Sequence, residues 1–189
     1  LALLAQINNA WVDIPISSIF LQPNNSGEVI LTFTPPANLS LMENVTYNFT
    51  ILVMYTYTGN YVVFLTQNIT CALTVIATKE SKVRYLIDEV SNLIVMLDAM
   101  NIQSGIKNSL KAKLNGTLDK LNVALNCVLN GDETAANDML NCAKNKINAF
   151  INEVKAQKGK KISEQDADTL TNSAQSLIGN INDTINTTI

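Results

Sequence analysis

Residues 69–100 read ITCALTVIATKESKVRYLIDEVSNLIVMLDAM, and the spacing of the apolar residues changes in the middle of that stretch. Up to Ala77 the spacing is two: Ile69, Cys71, Leu73 and Val75 share one face of an extended chain, with Thr70, Ala72 and Thr74 on the other. After Thr78 it is three and four. Val83, Leu86, Ile87, Val90, Leu93, Ile94, Leu97 and Met100 then line one face of a helix. The charge pattern breaks at the same place. Residues 1–78 carry Asp13, Glu28 and Glu43 and no Lys or Arg, whereas all 13 Lys and Arg and the other 13 Asp and Glu follow from Lys79 onward. These two breaks divide the chain into a module over 1–78 and a module over 79–189, and 189 residues can bury two small cores.

Toward the N-terminus the period of two continues. In Thr46 to Tyr57 the odd positions are Tyr47, Phe49, Ile51, Val53, Tyr55 and Tyr57, and the even ones begin with Thr46, Asn48 and Thr50. One apolar and one mostly polar face predict a half-buried antiparallel strand. Thr58-Gly59-Asn60 reads as a hairpin turn, because Gly and Asn tolerate positive φ. Tyr61–Thr66 and Asn68–Ala77 read as two further strands, and Trp11–Phe20 and Glu28–Thr34 as two earlier ones, the latter closed by Pro35-Pro36. Five or more short strands separated by turn residues predict an antiparallel β-sandwich.

Toward the C-terminus the helical period recurs. Leu110, Leu114, Leu118, Leu121, Leu125 and Val128 mark a second helix ending at Asn130-Gly131. Met139, Leu140, Ala143, Ile147, Phe150, Ile151 and Val154 mark a third, which starts near Asp132–Thr134 and ends before Gly159. The fourth opens at Ser163-Glu164-Gln165-Asp166, an acidic variant of the capping box, and carries Ala167, Leu170, Ala174, Leu177, Ile178 and Ile181. A three- to four-helix bundle is expected, the first helix reading also as a rod between the modules. The fold class is therefore α+β in two modules.

Composition excludes several functions. Only 15% of residues are charged, against about 25% in an ordinary globular protein. A first module without cations has nothing to neutralise phosphates, so nucleic acid is not its partner. There is no His, which removes the commonest general base and transition-metal ligand. Cys71, Cys127 and Cys142 are too far apart for a CxxC site. Asp13, Glu28 and Glu43 do not supply the clustered oxygens that calcium needs. No cofactor, metal or catalytic residue is assigned, and carboxylate pairs such as Asp88-Glu89 read as helix-face residues rather than glycosidase acids. No 18-residue apolar run spans a membrane. The chain begins at Leu1, so a leader has been removed or the chain is part of a longer precursor; Leu1-Ala2-Leu3-Leu4-Ala5 reads as the tail of such a leader or as an edge strand.

Eight Asn-x-Ser/Thr sequons lie at Asn24, Asn38, Asn44, Asn48, Asn68, Asn115, Asn182 and Asn186. The abundance of Asn, Ser and Thr would yield about four by chance, and several of the eight fall at polar strand faces or loops, where a glycan is accepted. Sugar would also keep a module with so few charges in solution. Cys127 and Cys142 flank the Gly131 turn and would bridge if their Cα atoms came within about 4.4–6.8 Å. An oxidising compartment favours the bond, and an axial offset of five residues, about 7 Å, opposes it. Cys71 reads as a buried apolar thiol. Lys155, Lys158, Lys160 and Lys161 form a basic cluster that reads as a solvated helix end, with contact to anionic glycans as the alternative.

Residues 148–163, NAFINEVKAQKGKKIS, followed by Ala167-Asp168 and the Leu170, Ala174, Leu177-Ile178 stripe, resemble the C-terminal half of the FIMAH-type helical domain. Residues 109–114, SLKAKL, and Gly131 with Ala135-Ala136-Asn137 resemble the helix hairpin that precedes it, so the likeness covers about 84–181. The resemblance implies a non-catalytic domain appended to extracellular bacterial or archaeal proteins, beside Ig-like modules. Residues 28–77 are similar to such Ig-like surface modules in pattern alone. The expectation is a non-catalytic, extracellular or cell-surface structural glycoprotein, a subunit of a surface layer, stalk or filament. The alternative is an adhesion or carbohydrate-binding accessory module, for which Tyr47, Tyr55, Tyr57 and Tyr61 would be the aromatic candidates. Self-association or other surface proteins are the expected partners, with Leu1–Ile7 either added as a strand to a neighbouring copy or packed in its own sheet.

Overall fold

A computed structural model describes residues 2–6, 12–13, 32–33, 40–58 and 62–188. The chain divides into two compact units, Leu1–Leu39 with Asn44–Ile76, and Ser40–Glu43 with Ala77–Ile189.

The first unit contains β1 (Ala2–Gln6), β2 (Val12–Asp13), β3 (Thr32–Phe33), β4 (Val45–Thr58) and β5 (Val62–Val75). Strands β4 and β5 form one continuous antiparallel hairpin, in register from Val45↔Val75 to Thr58↔Val62. Strand β1 adds antiparallel to the other edge of β4, from Ala2↔Met54 to Gln6↔Thr50, and so pairs within its own chain. Strands β2 and β3 make a separate two-residue pair. The β-sandwich expected over 1–78 is thus corrected: among the described residues there is one three-stranded sheet and no second sheet layer facing it. Tyr61–Thr66 and Asn68–Ala77, expected as two strands, are covered from Val62 to Val75 by the single strand β5, which the polar Thr66-Gln67-Asn68 does not interrupt. Ladder hydrogen bonds belong to the backbone and do not depend on the side chain, so pairing runs through Gln67↔Val53 without interruption. Fourteen residues per strand is far above the usual five or six. The Gly59-Asn60 turn lies outside the described residues.

Position parity sorts the hairpin. Thr46, Thr70, Ala72 and Thr74 are exposed, whereas Val45, Leu73 and Val75 are half-buried. The Thr46 and Thr74 hydroxyls hydrogen-bond across the strands at 2.9 Å.

The second unit is a four-helix bundle of α1 (Lys79–Ala99), α2 (Ser104–Leu129), α3 (Glu133–Gln157) and α4 (Glu164–Ile185). Consecutive helices pack side by side and α4 closes the ring against α1, while the diagonal pairs make no backbone-close packing. That up-and-down order follows from short connections. Each helix buries a stripe at three-and-four spacing, and Leu86, Leu97, Leu110, Leu121, Leu140, Ile147, Phe150, Leu170 and Ile181 are wholly enclosed. A fully buried side chain of this kind contributes about 1.5–3 kcal/mol relative to leaving it in water. Leu118, Leu125, Met139 and Ile178, read from spacing as core, are only partly buried at its margin.

The connections satisfy helix ends that would otherwise be orphaned. At the end of α1, Lys107 Nζ donates to the carbonyls of Asp98 (2.9 Å) and Met100 (2.7 Å), placing a cation at the negative end of the helix dipole. Between α2 and α3, Gly131 takes φ 75° and Asp132 N–H donates to Cys127 O at 2.9 Å, so a left-handed residue closes the helix. Asp132 then caps α3 by accepting from Ala135 N–H at 2.9 Å. Gly159, at φ 70°, makes the corresponding turn after α3. Ser163 caps α4 as anticipated from sequence, its hydroxyl accepting from Asp166 N–H at 3.1 Å; the Asp166 carboxylate reaches back to that hydroxyl, accepting from it at 2.8 Å, rather than to the Ser163 backbone N–H of a capping box. Ser40–Glu43 belongs to this unit through Leu41, whose N–H donates to Ser81 O and whose carbonyl accepts from Ser81 Oγ, each at 3.2 Å.

Candidate functional site

The residues singled out for chemistry are the sequon asparagines. Asn24 and Asn38 lie outside the described residues. Asn44 is exposed in non-regular backbone just before β4. Asn48 and Asn68 occupy β4 and β5, opposite Ala72 and Leu52. Because the register pairs even with even, both fall at positions of the same parity as the exposed Thr46, Thr70, Ala72 and Thr74. The ladder also sets the two sequon hydroxyl residues, Thr50 and Thr70, directly opposite each other. The hairpin thus gathers Asn48 and Asn68 along one parity of one sheet, with Asn44 immediately before its first residue.

Three sequons lie in the bundle. Asn115 is exposed on α2, Asn182 is exposed on α4, and Asn186 is exposed where α4 ends. The Asn182 Oδ1 accepts from Lys144 Nζ of α3 at 3.2 Å. Two hydroxyl residues of these sequons were missed as core: Thr117 and Thr184 are completely buried. Their signal was present in the spacing. Thr117 lies between Leu114 and Leu121, and Thr184 follows Ile181, each on the buried stripe of its helix. Each hydroxyl satisfies itself on its own helix, Thr117 Oγ1 donating to Lys113 O (2.9 Å) and Thr184 Oγ1 to Asn180 O (2.8 Å).

Cys127 and Cys142, for which a disulfide was left open, are both free, half-buried thiols. Cys127 lies two residues before the last residue of α2 and Cys142 nine after the first residue of α3. The resulting seven-residue offset, about 10 Å along antiparallel helices, exceeds the reach of a disulfide. Cys71 stands opposite Phe49 in the hairpin register.

Of the basic cluster, Lys158 pairs with Asp168 and Lys160 Nζ donates to Ala156 O at 3.2 Å, so two of its four charges already serve the α3–α4 turn. Asp88 is exposed and Glu89 half-buried on α1. Among the described residues no three His, Cys, Asp or Glu side chains converge as a metal site would require. Among the described residues no helix is long and apolar enough to cross a membrane.

The most enclosed charge among the described residues is Lys79, the first residue of α1, with no exposed surface. Its Nζ lies 3.0 Å from Glu133 Oε1 and 3.5 Å from Ile185 O, joining the start of α1 to the start of α3 and the end of α4. A cleft of about 300 Å³ lies beside it, lined by Thr78, Lys79, Glu80, Val128 and Leu129. The cleft offers no nucleophile with an adjacent base, and Lys79 is engaged with Glu133.

No protein-family model matches the chain, and no curated protein or solved structure is significantly similar to it.

Proposed function

We propose that this protein is a non-catalytic structural glycoprotein of the cell exterior, a subunit of a surface layer, stalk or filament. The observation that carries the reading is the alignment of two sequons, Asn48 and Asn68, at one parity of the hairpin, where every residue of described burial is exposed, with the exposed Asn44 immediately before β4. The segment holding them has no Lys or Arg, so carbohydrate is the solubilising group its composition calls for. An aromatic sugar-binding platform has less support, since Tyr47, Tyr55 and Tyr57 share the parity of the half-buried Val45, Leu73 and Val75.

Site-resolved mass spectrometry of native material tests this. Hexose-bearing peptides are expected at Asn48 and Asn68, and finding both unmodified removes the reading. Electron microscopy of the same material tests the assembly, with an ordered lattice or fibre expected and only isolated particles counting against it.

A further inference from the structure

We propose, resting on the reading of the chain as N-glycosylated, that the folded bundle closes two of its own sequons. Asn115 and Asn182 accept sugar only on an unfolded chain, whereas Asn44 and Asn186 accept it on the folded protein. Exposure of the asparagine does not separate these sites, for all four are exposed. The hydroxyl two residues on separates them. Thr117 and Thr184 are fully buried, whereas Thr46 and Thr188 are exposed.

The cause is helical geometry. At 3.6 residues per turn, positions i and i+2 are about 200° apart, so a sequon inside a helix cannot present its amide and its hydroxyl to the same side. When the asparagine of an amphipathic helix faces water, the threonine faces the core. In a strand the period is two, and i and i+2 share a face. Asn115 and Asn182 lie within α2 and α4, Asn44 runs into β4, and Asn186 leads out of α4. Each buried hydroxyl donates to a carbonyl four residues back inside its helix, whereas the Thr46 hydroxyl, bonded to Thr74, stays at the surface, so it is burial and not hydrogen bonding that sets the two pairs apart. Neighbouring side chains add to the closure. Lys146 Nζ of α3 would lie 3.1 Å from a Cβ at Gly116, the middle residue of one closed sequon, and Lys144 bonds the asparagine of the other at 3.2 Å.

In the transfer itself, the asparagine amide nitrogen attacks the anomeric carbon of an oligosaccharide carried on a lipid diphosphate. A carbon–nitrogen bond forms, the bond from that carbon to the diphosphate oxygen breaks, the lipid diphosphate leaves with the electron pair, and the amide loses one proton. The enzyme recognises the sequon by its hydroxyl residue, so amide and hydroxyl must be reached together.

The test uses full-length chain made in a host without N-glycosylation, treated with a purified oligosaccharyltransferase and its lipid-linked oligosaccharide. Four synthetic peptides, each spanning one sequon, serve as unfolded references, and rates are read by mass spectrometry. Relative to its own peptide, the folded chain should be slower by at least about tenfold at Asn115 and Asn182, since access there requires local unfolding. At Asn44 and Asn186 the folded chain should approach its peptide. Peptide-like rates at Asn115 and Asn182, or a block at Asn44 and Asn186 comparable to theirs, overturn the proposal. Because the comparison is made in vitro, sugar-free native material would refute the proposed function and leave this result standing.

Discussion

Thr117 and Thr184 in the bundle can be set beside Thr46, Thr70 and Thr74 in the hairpin. The first two are wholly buried and bond their own helix backbone; the other three are exposed, and Thr46 and Thr74 bond each other across the strands. A hydroxyl can enter a helical core because the carbonyl four residues back lies within its reach, so burial leaves no polar group unpaired. The difference teaches that backbone period, rather than residue type, decides whether a threonine belongs to the core or to a modifiable surface.

The sharpest way to break this contrast is to separate the units. A fragment covering residues 77–189 should melt cooperatively by far-UV circular dichroism, because its four apolar stripes cover one another. A gradual, non-cooperative loss of helix would show that the bundle depends on the rest of the chain.

Within the full chain, Phe150→Ala should cost about 3–5 kcal/mol of helical stability in urea, the range for deleting an enclosed aromatic ring. Leu73→Ala, at a half-buried hairpin position, should leave that helical transition essentially where it was. Equal shifts from both variants would erase the distinction between the two units.

A middle-sized effect is expected at Lys79. Glu133→Ala leaves a fully enclosed ammonium without its carboxylate and should cost about 1–3 kcal/mol, less than a fully buried pair because Glu133 itself is 43% exposed. Lys79→Met, which removes the charge and keeps the stem, should be nearer neutral. If the methionine variant is the worse of the two, the ion pair is not what holds that end of the bundle.

The smallest effects fall on the two surfaces. Gly179→Ala in α4 meets nothing within 4 Å and should stabilise the bundle by about 0.5–1 kcal/mol through helix propensity. Thr46→Ala should destabilise the hairpin by about 0.2–1 kcal/mol, the size of one cross-strand pair. Hydrogen exchange on β4 and β5 reads the latter, and unchanged protection would mean that the Thr46–Thr74 bond contributes nothing.

Much of the bundle was legible in advance. Its helices, the Gly131 and Gly159 turns and the Ser163 cap are local consequences of three-and-four spacing and of left-handed backbone that glycine adopts freely. The hairpin was legible in its alternation and not in its extent. Side-chain pattern places Tyr61–Thr66 and Asn68–Ala77 as separate strands, whereas backbone pairing, which is indifferent to the polar Thr66-Gln67-Asn68, carries β5 through without a break. Of the candidate sites, the sequons could be found by inspection, but their division into open and closed sets could not, because half of each motif was read as chemistry before it was read as packing.

The amino-acid sequence by itself determined where the period changes from two to three and four, where the cations begin at Lys79, which residues cap and end the helices, and where the eight sequons lie. All of these are set by near neighbours along the chain. Only the tertiary structure decided that Cys127 and Cys142 stay unbonded, that Lys79 is sealed between three helix ends, and that the stripe carrying Thr117 and Thr184 is enclosed completely at those two positions. Those outcomes depend on which helix lies against which, at what axial offset, and residues far apart in sequence set such distances only once the bundle has closed.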